Sequence, residues 1–406
     1  MLAAAPASRL RPLTGLPRPF LTFLAGLTVS KLGDSLHAFA LPWIAYELTR
    51  SPLVMGTLYA TEIIPILLLG AFAGVLVDRF DRRRLMMGAD LLRAAIVALL
   101  PILHLAGMLA LWHLYAAAFA LSLVSLAFDV ATTTVIPEVA GSDLTRANAA
   151  HQVAMQAASM AGPALAGIAI ATLGGFNTLW LNAASFGGTF LALLSLPALS
   201  RATGAASVAG VLAGIGEGFR WLWGNRAIRV LSLQAATGNF GFGMVAAVLM
   251  FYLRSTLGLS AEVAGLDYAM LGVGGVLGGV AIVPLSRRYR RGSLYPALLA
   301  FGMGGLLLMA LLRTWWAPGL GFGMVSACNV AWVVLSTSVR QELIPRELMG
   351  RVLSFSRILS TAAMPLGATL AGVLSGVTSP TVVFLIAAGT KGVEVLIARY
   401  SAMRDL

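Results

Sequence analysis

Residues 74–86 read GVLVDRFDRRRLM. Two aspartates and four arginines follow a glycine here, and what lies on either side decides their meaning. Residues 53–77 and 85–104 are each apolar for about the 20 residues that a bilayer crossing needs. The stretch therefore reads as a short polar turn between two membrane spans.

Working outward, the same pattern recurs. The chain has 406 residues, 59% of them hydrophobic and 11% charged. A soluble fold of that composition would leave much of its surface greasy, so the composition points to an integral membrane protein. Twelve candidate spans follow: 20–48, 53–77, 85–104, 108–135, 150–173, 176–197, 230–254, 262–285, 293–312, 317–339, 353–375 and 380–400. The first is too long for a cleaved leader, and it carries Lys31 and Asp34 inside it. The one long connection, 198–229, opens as a flexible linker. It continues as GVLAGIGEGFRWLWGNRAIR, with the spacing of an interfacial amphipathic helix.

Charge gives the expected orientation. Arg9, Arg11, Arg18, Arg79, Arg82, Arg83, Arg84, Arg146, Arg201, Arg220, Arg226, Arg229, the arginines of 287–291, Arg346, Arg351, Arg399 and Arg404 fall on one side. The other side has little more than Arg50, Arg254 and Arg313. The arginine-rich side, with both termini, is expected in the cytoplasm of a plasma or inner membrane. This clustering also accounts for the net charge of +12 without nucleic acid, which is excluded as a partner. The single Cys328 rules out an intrachain disulfide. Four scattered histidines offer no metal-ligand spacing, and no cofactor is expected.

The chain also repeats. One constant offset carries Gly33–Asp34 onto Gly238–Asn239, Arg82–Arg83 onto Arg287–Arg288 and Arg146 onto Arg351. It carries Gly162-x-x-Leu165–Ala166–Gly167 onto Gly367-x-x-Leu370–Ala371–Gly372. The expected plan is all-α: two pseudo-symmetric six-helix bundles, 1–197 and 230–406, joined by 198–229, with a substrate site between them.

The turn at 74–86 resembles the signature loop of the major facilitator superfamily: Gly74, Asp78, Arg79, Arg82 and Arg83 match, and Asp81 stands where a glycine is usual. Further pieces resemble its enterobactin-exporter and macrolide-efflux branch: LGDSLHAFALPW (32–43), IPEVAGSDLTRANA (136–149), GPALAG (162–167) and IPRELMGRV (344–352). The resemblance implies alternating access. It also implies a cytoplasmic gate of Asp78, Arg79, Arg82, Arg83, Asp90 and Arg93 near Arg351 at the start of span eleven. A carboxylate such as Asp78 can accept from free N–H groups at a helix start. The resemblance gives Gly162–Pro163 the role of a helix hinge and tilts the reading toward export.

Charged groups inside spans are costly and mark function. Asp34 has Lys31 three residues before it and His37 three after, all toward one helix side. One reading is a structural Lys31–Asp34 pair. The other is a proton-coupling site facing a central cavity, with His37 sharing the proton and the repeat mate Asn239 unable to titrate. Glu62 and Asp129 rank next for that cavity; Asp267 reads as interfacial; Lys391 and Glu394 can satisfy each other.

The expected function is secondary active transport, not enzymology: a monomeric, proton-coupled exporter of a small amphipathic organic compound such as a drug or siderophore. Sodium as the coupling ion, a lipid flippase on the same scaffold and a non-transporting sensor remain open. GVGGVLGG (272–279) lacks the Gly-Lys-Ser/Thr ending of a phosphate loop.

Overall fold

The computed structural model describes residues 16–77, 79–141, 143–196 and 207–400, with residues 76 and 400 as backbone only. Asp78, residues 198–206 at the start of the linker, with Arg201 among them, and the terminal arginines Arg9, Arg11 and Arg404 lie outside that set.

All regular structure among the described residues is helical. The first half holds α1 (Arg18–Thr49), α2 (Pro52–Leu69), α3 (Ala73–Val77), α4 (Arg82–Leu105), α5 (Leu111–Val139), α6 (Leu144–Leu173) and α7 (Gly175–Leu194). After α8 (Val208–Gly224), the second half holds α9 (Arg226–Phe251), which runs into a π-helical turn (Tyr252–Thr256). It continues with α10 (Ala261–Arg288), α11 (Arg291–Leu311), α12 (Ala317–Leu343), α13 (Met349–Val377) and α14 (Pro380–Tyr400). Ten of these are long and apolar enough to span a membrane. The other two long helices, α1 and α7, are diluted by polar residues but pack among the ten, against each other and against α6 and α4.

Two differences from the expected spans have local causes. The second span is not continuous: α2 stops at Gly70 and α3 restarts at Ala73. Gly70 and Gly74 weaken helix there, and Pro65 removes a donor just before. The fifth span starts earlier than its apolar run, because Asp143 accepts from the Arg146 N–H at 3.1 Å and caps six further residues, LTRANA, into helix. Asp81 does the same for α4, accepting from the Arg84 N–H at 2.9 Å. That explains an acid at a position where glycine is usual.

The repeat is visible in the helix ends. Shifting α6 by the offset that superposes the two halves gives 349–378, and α13 is Met349–Val377; shifting α7 gives 380–399, and α14 is Pro380–Tyr400. Packing repeats too. Gly162 of α6 lies against Ser35 of α1, and Gly367 of α13 lies against Phe240 of α9, so that glycine and partner are displaced together by the same offset.

The halves meet at the ends remote from the termini. There Gly56 of α2 abuts Ala368 and Gly372 of α13, and Gly167 of α6 abuts Ala261 at the start of α10. Small residues let these backbones approach closely, as expected for Gly167 and Gly372. A single apolar core runs through both halves at that end, from Phe39, Ile44 and Met55 to Met244, Val248 and Ala368. Toward the termini each half keeps a separate core, around Phe20 and Phe128 in one and around Ile228 and Tyr295 in the other. The space between the halves is thus closed at the far end and divides them at the terminal end.

α8 is amphipathic as expected. Gly218 and Leu222 are buried, with Gly218 on the Arg351 backbone, while Trp223 is exposed.

Candidate functional site

Between the halves, near mid-depth, is a chamber of about 310 Å³. Helices of both halves build its wall. α1 and α2 give Phe39, Tyr59 and Glu62; α6 gives Pro163; α9, α10 and α12 give Phe242, Tyr268 and Phe322. The aromatic residues interlock. The Tyr268 ring meets Phe39 edge-on at 5.2 Å and Phe322 at 5.9 Å, and Phe242 stacks on Phe322 at 6.1 Å. Glu62 is the one ionisable acid on this wall and has no cation within salt-bridge distance among the described residues. Its backbone carbonyl accepts from Ser122 Oγ at 2.5 Å, tying α2 to α5. Such a cavity, apolar and aromatic with one carboxylate, suits an organic molecule that carries one positive group.

Asp34 is elsewhere. Its Oδ2 lies 3.2 Å from Lys31 Nζ and 3.8 Å from Arg93 Nη1. Lys31 Nζ also donates to Asp129 Oδ1 at 2.8 Å. Arg93 pairs with Asp90 and is fully buried, with its guanidinium over the Phe128 ring at 3.9 Å and the Phe186 ring at 4.5 Å. α1, α4 and α5 thus gather three acids and two bases. The network grades from sealed to open: Asp90 is 1% exposed, Asp34 24% and Asp129 54%. The Lys31–Asp34 pair exists, but as one link of a five-residue network. His37 is buried with neither ring nitrogen hydrogen-bonded, and it is not on the chamber wall.

The gate residues divide. Asp90 and Arg93 sit with Asp34, about two turns inside α4, and not beside Arg351. Arg82 Nη1 lies 2.5 Å from Glu138 Oε1, and Arg83 donates to the Leu194 carbonyl at 2.7 Å. Both hold helix ends within the first half. Arg79 is exposed. Arg351 pairs with Glu217 of α8. With the halves apart at the terminal end, these groups take partners from their own side. α6 runs unbroken through Gly162 and Pro163, with Gly162 packed on α1 and Pro163 on the chamber wall.

In the second half, Asn239 Nδ2 donates to the Ser360 carbonyl at 3.0 Å. It borders a polar recess with Gln234, Asn329 and Arg340, near the buried Lys391–Glu394 pair at 3.0 Å. Asp267 lies in the second turn of α10. It is 5% exposed, and its carboxylate lies beside Gly319 in the first turn of α12. At the far end, Arg254 lies over the Trp43 ring at 4.2 Å.

The chamber aromatics went unseen in the sequence, since Tyr59, Phe242 and Tyr268 sit in apolar runs where aromatics are ordinary. The signal lay in the repeat: the offset that superposes the halves carries Glu62 onto Asp267.

The Major Facilitator Superfamily profile matches residues 23–368. The multidrug efflux pump Tap of Mycolicibacterium fortuitum is 30% identical over 374 residues, 88% of this chain and 89% of that protein. Macrolide efflux protein A of Streptococcus pyogenes is 24% identical, with the same coverage. Among solved structures, the nucleoside transporter NupG superposes with a TM-score of 0.75 over 94% of this chain and 98% of that one, at 15% identity.

Proposed function

The chain belongs to the Major Facilitator Superfamily, and on that premise we propose that it exports amphipathic organic cations, exchanging them for protons at Glu62. It is a multi-pass membrane transporter rather than an enzyme. The observation that carries the finer reading is a lone carboxylate on an aromatic chamber wall to which both halves contribute. An ionised acid there, without a cation, is expensive. Either a proton or a cationic substrate removes that cost, and one site cannot hold both. Competition of this kind couples inward proton flow to outward substrate flow, provided the halves rock so that the chamber opens to one side at a time. The efflux relatives named above support the direction.

In this reading the termini are cytoplasmic, so the present conformation opens inward. The bundles are 1–197 and 230–406, joined through 198–229, and the monomer is the working unit. The Asp34–Lys31–Asp129 network is a second titratable station on the same inward face. Asp78, Arg79, Arg82, Arg83 and Arg351 form a gate only when the cytoplasmic ends close, and Gly162–Pro163 permits the bend in α6. Glu62 favours a cation over an anionic siderophore.

The test is efflux from proteoliposomes under an imposed pH gradient, using ethidium as a permanent cation and labelled phospholipid as a control. Wild type should drive ethidium transport, Glu62→Gln should lose it while inserting normally, and neither should scramble lipid. Undiminished ethidium transport by Glu62→Gln overturns the proposal; lipid scrambling that depends on the protein would replace it with a flippase.

A further inference from the structure

A cavity larger than the chamber lies elsewhere. It is a groove of about 660 Å³ on the second half, walled by α10 and α11 and floored by α12. Its origin is in the sequence. Gly274 and Gly278, one turn apart, set α10 directly on the backbone of Gly323 and Ala327 in α12. Gly302 and Gly305 draw α11 onto the same helix, at Cys328 and Gly321. Both helices are pulled to the floor, so they barely touch each other. Small residues, Ala281, Ala297 and Ala331, leave the space between them unfilled. Leu277 and Phe301 on the rim are 61% and 48% exposed, so the groove opens away from the protein, toward lipid. On α10 it runs from Met270 to Leu285, about 22 Å along the helix, more than the roughly 15 Å depth of one leaflet's hydrocarbon.

One end is charged. Tyr289 closes the groove within the sequence SRRYRRGS, and the Arg288 guanidinium lies 5.8 Å from its ring. Arg291 is taken by both carboxylate oxygens of Glu342, at 2.7 Å each. Arg287, Arg288 and Arg290 have no acid partner among the described residues and are exposed.

The pseudo-symmetric position in the first half is the control. The repeat carries Leu69, Phe72, Leu123 and Leu126 onto Gly274, Leu277, Cys328 and Ala331. The bulkier set leaves only about 240 Å³ there. Arg82, the mate of Arg287, is engaged by Glu138, and Arg83, the mate of Arg288, by the Leu194 carbonyl. The second half has the larger groove, with three neighbouring arginines at its end that lack an acid partner among the described residues; the smaller first-half pocket has one arginine, Arg79, on its wall.

We propose that this groove is a binding site for an anionic glycerophospholipid of the surrounding membrane, with one acyl chain between α10 and α11 and the phosphate at Arg287, Arg288 and Arg290. The groove supplies apolar contact along the chain's length, and the guanidinium groups supply charge-assisted donors to phosphate. The site is separate from the chamber, and its occupancy does not depend on what is transported.

The test is native mass spectrometry of protein released from nanodiscs of mixed phosphatidylglycerol and phosphatidylcholine. Wild type should retain one phosphatidylglycerol in preference to phosphatidylcholine. Ala297→Trp, which fills the groove from α11, should lower that occupancy about tenfold. Ala281→Trp fills it from α10 and serves if the first variant does not fold. Arg287→Gln/Arg288→Gln/Arg290→Gln should keep a bound lipid but lose the preference for phosphatidylglycerol. Occupancy unchanged in folded Trp variants, a preference that survives the triple substitution, or a dimer that the Trp variants dissociate would each overturn the proposal.

Discussion

Glu62 and Asp267 stand at equivalent positions of the two halves, related by the repeat, yet only one faces the chamber. Asp267 is buried against the start of α12, with its carboxylate beside Gly319. The first-turn N–H groups there are orphan donors at a helix N-terminus, where partial positive charge favours a carboxylate. The equivalent of Gly319 in the first half is Leu114, which is fully buried. A leucine there leaves no room for a capping carboxylate, and Glu62, one methylene longer, is left to the chamber. A repeat has thus given one acid to structure and released the other for chemistry.

That division predicts opposite consequences. Asp267→Ala should lower stability by about 1–2 kcal/mol, the usual worth of a helix cap, while Glu62→Gln should change it by less than about 0.5 kcal/mol. Thermal unfolding of the purified variants in detergent reads this out. Equal destabilisation by the two substitutions would mean that Glu62 is also structural, and its place in transport would have to be reconsidered.

The Asp34 network separates in a similar way. It holds Asp34, Asp90 and Asp129 against Lys31 and Arg93, one more acid than bases. Asp34→Asn removes the surplus acid while leaving Lys31 its bond to Asp129 and Arg93 its bond to Asp90. Asp90→Asn strips the nearest charge from a guanidinium with no exposure at all, and breaking a buried pair by removing one partner typically costs about 3–5 kcal/mol. Asp34→Asn should therefore express and melt like wild type, with proton-driven efflux reduced about tenfold or more, while Asp90→Asn should lose stability first. Normal efflux by Asp34→Asn would reduce the network to a brace.

How much of this the chain disclosed depended on the range of the interaction. Span positions came through because bilayer thickness is written directly into apolar run length. The register of the repeat came through because glycines at helix crossings tolerate little substitution: Gly162 against Ser35 and Gly367 against Phe240 show why the repeat kept them. Lys31–Asp34 and Lys391–Glu394 were legible as neighbours three apart on a helix. Contacts between distant helices were not. Nothing local to Arg93 says that Phe128 and Phe186 sandwich it, and nothing local to Asp34 or Glu62 says which of them meets the chamber. Nor does anything local to Asp90 and Arg93 say that they gather with Asp34, about two turns inside α4, in this conformation.

Packing at the far end yields a third prediction. A side chain on Gly167 would run into the Ala261 backbone of α10, whereas Gly88 of α4 has open space where its Cβ would go. Gly167→Leu should therefore prop the far ends apart and stop transport. Gly88→Ala should be silent or stabilise by up to about 1 kcal/mol through helix propensity. In a Cys328→Ala background, a reporter at Ser260→Cys should react faster with an impermeant maleimide when Gly167 is replaced. Unchanged labelling would show that closure at this end does not rest on the α6–α10 contact.

The same seal has an electrostatic part. Arg254, in the π-helical turn after α9, lies over the Trp43 ring of α1 while its Nη1 donates to the Leu259 carbonyl at 2.7 Å. The guanidinium thus clamps the two halves through a planar face and fixes its own loop through an edge. Lysine keeps the charge but has no plane to stack. A cation–π contact at a partly desolvated site is worth about 0.5–2 kcal/mol, and about 1.4 kcal/mol shifts a two-state equilibrium tenfold. Arg254→Lys should accordingly raise the population open at the far end several-fold without changing total stability, and Trp43→Leu should do the same. The double variant should add little to either single one, since both remove one contact. Spin-label distances between the far ends of α1 and α9 would measure the shift, and additive effects in the double variant would show that the two side chains act through separate contacts.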